Sequence, residues 1–278
     1  MKKEPIKQLV KRFLLSAAPQ AAGAWQSARQ RRHIQRFEQR LGLPELTTSF
    51  IEEHGSRVLS GPFVGMAYVA QARGSALMPK LLGSYEEELH EVMEKVVATD
   101  YMAIIDIGCA EGYYANGLAM RMPSARIYAF DTDLSAQALC AEMARLNAVE
   151  ARVSVFGECR TDDLNTLLTK RSLIICDCEG FESEILRPDL VPAMARTDIL
   201  VELHDHVQPG ITPLILKRFE DTHRATTITA AERDATYYPQ LRFPNLRNRQ
   251  LAVSEFRQSG QQWVFLASKL FPPGETKR

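Results

Sequence analysis

The sequence has no long hydrophobic run: every apolar stretch is short and broken by Asp, Glu or Gly well before the roughly 18 residues a membrane span requires. It has no net charge, with 34 basic and 34 acidic residues. Glycine (15), proline (14) and cysteine (5) are sparse among 278 residues, which excludes collagen-like, low-complexity and disulfide-scaffold chains. The cysteine number is odd, and Cys109, Cys140, Cys159, Cys176 and Cys178 fall mostly inside apolar segments. That usage fits reduced core thiols and a cytoplasmic protein.

The balanced charge hides an asymmetry. The first forty residues hold ten of the Lys and Arg but only Glu4 and Glu38 as acids, leaving 24 basic and 32 acidic residues for the rest. A mildly acidic body predicts no nucleic-acid partner. In the basic arm, Ile6, Leu9, Val10, Phe13 and Leu14 recur at helical spacing opposite Lys7, Lys11 and Arg12, which interrupt the apolar core a signal peptide needs. The expectation is an amphipathic helix used for packing on the body, for dimerisation, or for peripheral contact with an anionic membrane. A second helix is predicted from Trp25 to Leu41, ended by Gly42.

From Ser84 onward strands and helices alternate. Ser84 and Glu87 read as a capping box opening a helix with Leu89, Val92, Met93, Val96 and Val97 on one face. Strands are predicted at 102–108, 125–131, 152–157, 172–180, 197–205, 225–229 and 262–268, separated by helices, one of them capped by Thr212. Alternation of this kind specifies an α/β fold, a mostly parallel Rossmann-like sheet covered on both faces. The domain reading is a helical and irregular extension at 1–80 and one domain at 81–278 with a loop insertion at 230–260.

Ligands of such sheets bind beyond the carboxyl ends of the strands. The first strand ends in Asp106, Gly108, Cys109, Ala110, Glu111 and Gly112. Ala110 stands where a dinucleotide fingerprint has its second glycine, and acids flank the turn, which disfavours a pyrophosphate. The turn suits a cationic, phosphate-free adenosyl ligand such as S-adenosylmethionine. The second strand ends in Asp131 and Thr132, placed for ribose hydroxyls, and Glu158 after the third strand is placed for the adenine amino group. Asp133 reads as the cap of the following helix.

The runs IIDIGCAEGYYA (104–115), FDTD (130–133), IICDCEGFESEIL (174–186) and ILVELHD (199–205) resemble the FkbM-type family of S-adenosylmethionine-dependent methyltransferases. The D-x-E-G-x-E-x-x-(I/V)-L pattern at 177–186 is the more specific feature, and the resemblance covers roughly residues 80 to 270. It implies a seven-stranded sheet with an antiparallel last strand, cofactor contacts at Asp106, Gly108, Gly112 and Asp131, and methyl transfer to a hydroxyl oxygen. The acceptor class expected is a small molecule or a glycan, including sugar-nucleotides and secondary metabolites.

If the fourth and fifth strands are neighbours, Asp177 and Glu179 lie near Glu202, His204, Asp205 and His206. Asp177, Glu179 and His204 are the candidate catalytic residues, with His204 as proton acceptor near neutral pH and Asp177 also beside the cofactor. The cluster has the ligand types of a divalent cation, manganese or magnesium rather than zinc, though sequence spacing assigns no ligand set. Two rival activities stay open: N-methylation, and a non-catalytic module that only binds S-adenosylmethionine. Tyr237, Tyr238, Phe243 and the segment 60–74 are expected to shape the acceptor pocket.

Overall fold

The computed structural model describes residues 36–73, 75–257 and 260–271. The expected amphipathic arm helix, and the Trp25–Leu41 helix before residue 36, lie outside these residues. The chain divides into two compact units, Met1–Phe50 and Ile51–Arg278. In the first, residues 36–41 are helical, Gly42 breaks the run at a φ of +74°, and helix α1 (Leu43–His54) begins.

The second unit holds a seven-stranded sheet: β1 (Ala103–Ile107), β2 (Arg126–Phe130), β3 (Val153–Phe156), β4 (Ser172–Cys176), β5 (Thr197–Leu203), β6 (His223–Thr229) and β7 (Gln262–Ser268). The spatial order is β3-β2-β1-β4-β5-β7-β6. The pairs among β1 to β5 are parallel, and β7 runs antiparallel to both β5 and β6. The order reverses between β1 and β4, so the crevice where a ligand can enter lies at their carboxyl ends.

Burial explains why these runs became strands. All residues of β1, β4 and β5 are buried, as expected of strands covered on both faces. Edge strand β6 is mostly exposed and polar over Arg224–Thr227. Ile105, Ile107, Ile174, Ile199, Val201, Val264 and Leu266 share one core cluster with Ile211, Ile215 and Phe219, which recur every four residues along helix α8 (Ile211–Phe219). The other helices of this unit are α2 (Leu77–Leu82), α3 (His90–Ala98), α4 (Tyr113–Arg121), α5 (Leu134–Leu146), α6 (Thr161–Leu167), α7 (Glu182–Ile185) and α9 (Leu246–Val253).

Four local expectations are corrected. The Ser84–Glu87 capping box does not form: residues 87–89 are a 3₁₀ turn entered through Glu86 at a φ of +48°, and α3 starts at His90. Tyr238 Oη donates instead to Glu87 (2.8 Å), and Arg233 Nε donates to the Ser84 carbonyl (3.1 Å). Helix α8 is capped by Asp205, which accepts from Gly210 N (3.0 Å) and from the Thr212 hydroxyl, rather than by Thr212 itself. The 230–260 insertion contains helix α9, capped by Asn245 through Asn248 N (2.7 Å). Finally, residues 51–80 belong to the same compact unit as the sheet, because Tyr68, Arg73 and Lys80 all converge on Glu111.

Candidate functional site

The turn after β1 is built from residues that only this backbone path explains. Gly108 has a φ of +84°, and a Cβ there would stand 1.7 Å from the Asp177 carbonyl oxygen. Gly112 (φ +89°) would meet Asn116 and Cys140 at 2.4 and 2.6 Å. Ala110 takes a φ of +48°, a conformation that costs a non-glycine residue about 1 kcal/mol or more. Asp131 braces it: its carboxylate accepts from Ala110 N (2.9 Å) and from Asp133 N (2.8 Å). Asp133 in turn caps α5 by accepting from Ser135 N (2.9 Å).

Asp106 is buried at the start of this turn, and its Oδ2 has no hydrogen-bond partner among the described residues. Burial pushes its carboxyl up to about 7; the Ala115 N–H opposes the rise, while Asp177 and Asp131 add to it. Asp131 is also raised, by burial first, against the two N–H groups it accepts from. Two acids thus sit under-compensated at the crevice mouth.

The remaining residues expected at the cofactor are divided. Cys109 is buried and Thr132 is exposed. Glu111 is fully buried, accepting from the Tyr68 hydroxyl (2.6 Å), Arg73 N (2.8 Å) and Lys80 Nζ, so its carboxylate ties the 68–80 segment onto the turn. Glu158 is exposed and pairs with Arg160 at 3.0 Å.

Beyond β4 and β5 the expected neighbours meet. His204 follows β5 and is 1% exposed. Its Nδ1 is 2.7 Å from Glu182 Oε1 at the start of α7. Its Nε2 faces Asp177 Oδ1 at 3.5 Å, Glu179 Oε2 at 3.7 Å and Glu202 Oε2 at 3.7 Å. Glu179 reaches this position from a φ of +56°, followed by Gly180 at +100°, so the turn after β4 folds the D-x-E-G-x-E residues back onto one imidazole. Asp205 is not part of the cluster, being engaged in the α8 cap, and the ring of the exposed His206 lies 5.6 Å from that of His204, tilted by 57°.

Asp177 and Glu202 are both raised, by burial first: His204 holds the Asp177 rise back while Glu179 adds to it, and the neighbouring Asp177 adds to the rise of Glu202. Burial lowers the affinity of His204 for a proton, but Glu182, Asp177 and Glu179 outweigh it and the net shift is upward. Glu182 moves down: burial opposes, while His204 and the Gly180 N–H prevail. Cys176 and Cys178 lie 3.6 Å apart, and the Cys176 thiol, held in the core, is pushed far up by its bond to Cys178 and by burial. A thiol so hard to ionise is a poor metal ligand.

A second ionic group, which the sequence reading missed, adjoins the cluster. Arg257 donates to Glu202 (2.6 Å), to the Tyr85 hydroxyl (3.2 Å) and to Glu86, and pairs with Glu255 at 2.9 Å. Arg233 pairs with Glu255 (3.0 Å) and Glu88. Arg233 and Arg257 both line a cavity of about 590 Å³ with Glu88, Arg247, Gln250 and Glu255. Tyr237, Tyr238 and Phe243 do not line it, and residues 60–73 pack on the turn through Tyr68 and through Phe63, whose ring lies 5.2 Å from that of Tyr113. The run Gly83-Ser84-Tyr85-Glu86-Glu87-Glu88 was the available signal, three adjacent acids beside an aromatic in a segment read as a helix start.

No family model and no curated protein sequence matches the chain. Solved structures similar to it include the O-methyltransferase of Bacillus cereus in complex with SAH (11% identity, 68% of this chain and 82% of that one, TM-score 0.45). The O-methyltransferase TomG of Streptomyces achromogenes, in complex with SAM, gives 14% identity over 68% and 82% with a TM-score of 0.43. An rRNA methylase of Streptococcus thermophilus gives 10% identity over 65% and 96% with a TM-score of 0.46. At these identities and scores the likeness says nothing of what this chain binds or does.

Proposed function

We propose that this protein is an S-adenosylmethionine-dependent methyltransferase of the FkbM type that acts on a hydroxyl of a small-molecule or glycan acceptor in the cytoplasm. The observation that carries the reading is Asp106, a buried carboxyl with an unpartnered oxygen, set with Asp131 and Asp177 around the β1–β4 crevice. Acids in that position repel phosphate and suit a ligand with ammonium and sulfonium groups. The absence of a membrane-length apolar helix among the described residues is compatible with the compartment.

S-adenosylmethionine supplies a methyl group on a positively charged sulfur. The chain's own part would be to hold an acceptor hydroxyl in line with that methyl group and to take up its proton at the cluster of Asp177, Glu179 and His204, the C–S electron pair staying with the departing neutral thioether. Positioning is the main task, because in-line displacement needs little covalent help. The cavity lined by Arg257 has a volume typical of small-molecule sites, and Arg257 in turn donates to Glu202, which supports it as the acceptor pocket.

Thermal unfolding with S-adenosylmethionine and S-adenosylhomocysteine tests the reading. At a hundred times the dissociation constant either ligand should add about 2.7 kcal/mol of stability. Asp131→Asn, which keeps the size of the brace, should shrink that shift. Cooperative unfolding with no shift for either ligand removes methyl transfer. A shift without release of S-adenosylhomocysteine in the presence of acceptor extracts leaves a non-catalytic binding module, and a methylated amine product assigns N-methylation.

A further inference from the structure

We infer that Asp177, Glu179 and His204 form a binding site for one hard divalent cation, manganese or magnesium, at the mouth of the β4–β5 strand ends. One ligand atom from each of the three lies within 4.8 Å of the others. Cations of this class hold their ligands at about 2.1–2.5 Å, which sets neighbouring ligand atoms about 3–3.5 Å apart and opposite ones about 4–5 Å apart. The spacing from His204 Nε2 to Asp177 (3.5 Å) and to Glu179 (3.7 Å) needs only a small contraction to meet that requirement.

The imidazole is the independent observation. His204 is 1% exposed, its Nδ1 is fixed by Glu182, and Nε2 is aimed into the cluster without a hydrogen bond to any described residue. Carboxylate on one ring nitrogen and metal on the other is how ligating histidines are oriented. Asp177 Oδ1 is likewise buried with no hydrogen-bond partner among the described residues. An imidazolium would be expected to close a bond on one of the three facing carboxylates, yet none approaches nearer than 3.5 Å.

Charge points the same way. Four carboxylates, Asp177, Glu179, Glu182 and Glu202, surround this ring, and among the described residues Arg257 is the one Lys or Arg side chain paired with any of them, through Glu202. Oxygen-rich donors with a single imidazole select manganese or magnesium over zinc.

The ion's binding stands independently of the proposed function; its role rests on it. Held beside the acceptor, the cation lowers the pKa of the hydroxyl, whose proton then passes to water at the exposed Glu179 edge before the C–O bond forms. His204 is then a ligand rather than the proton acceptor.

Binding is measured on the full chain, stripped with a chelator, by the loss of the free Mn²⁺ paramagnetic resonance signal on titration, with Mg²⁺ as competitor. One Mn²⁺ per chain, displaced by Mg²⁺ and weakened at least about tenfold in Glu179→Gln and in Asp177→Asn, is the expected result. Glu179 is exposed, so its variant folds even if changes at buried positions do not. Equal Mn²⁺ binding by the native chain and both variants, or no binding at millimolar metal, overturns the inference. The S-adenosylmethionine thermal shift is run in parallel without metal. A shift without a Mn²⁺ site leaves methyl transfer standing and refutes the cation, and a Mn²⁺ site without a shift does the reverse.

Discussion

Two acidic groups stand side by side in this molecule and differ in how their charge is balanced. Around Arg233 and Arg257, the carboxylates of Glu86, Glu88 and Glu255 each meet a guanidinium within hydrogen-bond reach. Around His204, four carboxylates meet one imidazole, and among the described residues only Glu202 also touches an arginine. The first group is closed by its two arginines over most of its oxygens, though Glu88 Oε1 and Glu255 Oε2 make no hydrogen bond among the described residues, and burial still pushes Glu255 up to about 8. The second also has an unpaired oxygen, raised acids and a left-handed Glu179, and it differs in that a single imidazole, rather than two guanidinium groups, faces its four carboxylates.

The largest effect expected from disturbing that contrast is in the closed group. Arg257→Met leaves Glu86, Glu202 and Glu255 without their shared counterion and should cost about 3 kcal/mol, the lower end of the penalty for breaking a buried pair because Arg257 is partly accessible. Denaturant unfolding measures it, and a loss below 1 kcal/mol would show that the network is not structural.

The open group should respond with the opposite sign. Glu179→Gly removes a carboxylate from a crowd of like charges and relieves the left-handed backbone, so stability should rise by about 1 kcal/mol while methyl transfer falls. A variant that loses stability would mean that Glu179 holds the turn together.

The smallest effect lies outside both groups and calibrates them. His223 is buried between the Thr197 carbonyl (2.8 Å from Nε2) and the Thr222 hydroxyl (2.8 Å from Nδ1), and burial lowers its proton affinity below that of the unfolded chain. Between the two pKa values the unfolded state binds more protons, so the stability His223 contributes is present above about pH 6.5 and is lost as pH falls below it. His223→Gln should flatten that part of the stability-versus-pH curve. An unchanged slope would assign it to other groups.

What the sequence carried was what repeats locally. Apolar runs placed all seven strands, and β7 occupies the expected 262–268. The D-x-E-G-x-E run and the strand ending in Glu202-Leu203-His204 predicted Asp177, Glu179 and Glu202 beside His204, because adjacent parallel strands bring their carboxyl ends together, but not Glu182, the partner of its Nδ1, and they wrongly added Asp205. Sequence could not reveal Arg257, which reaches Glu86 across 171 positions, nor Lys80, whose partner Glu111 looked like a ligand contact. Glu87 read as a cap because the motif is local, but Tyr238, 151 positions away, took its carboxylate. Pairings of that range leave no periodicity to read.

Gly108 binds these halves of the crevice more tightly than any side chain could. With no Cβ, its backbone rests directly against the carbonyl of Asp177, while Asp177 N donates to the Ile107 carbonyl at 2.9 Å. The loop that would grip one ligand and the residue that would face the other are therefore a single mechanical part. A shift of a few tenths of an ångström at the first is felt at the second without any messenger, so occupancy of the turn should set the order in which the two ligands load.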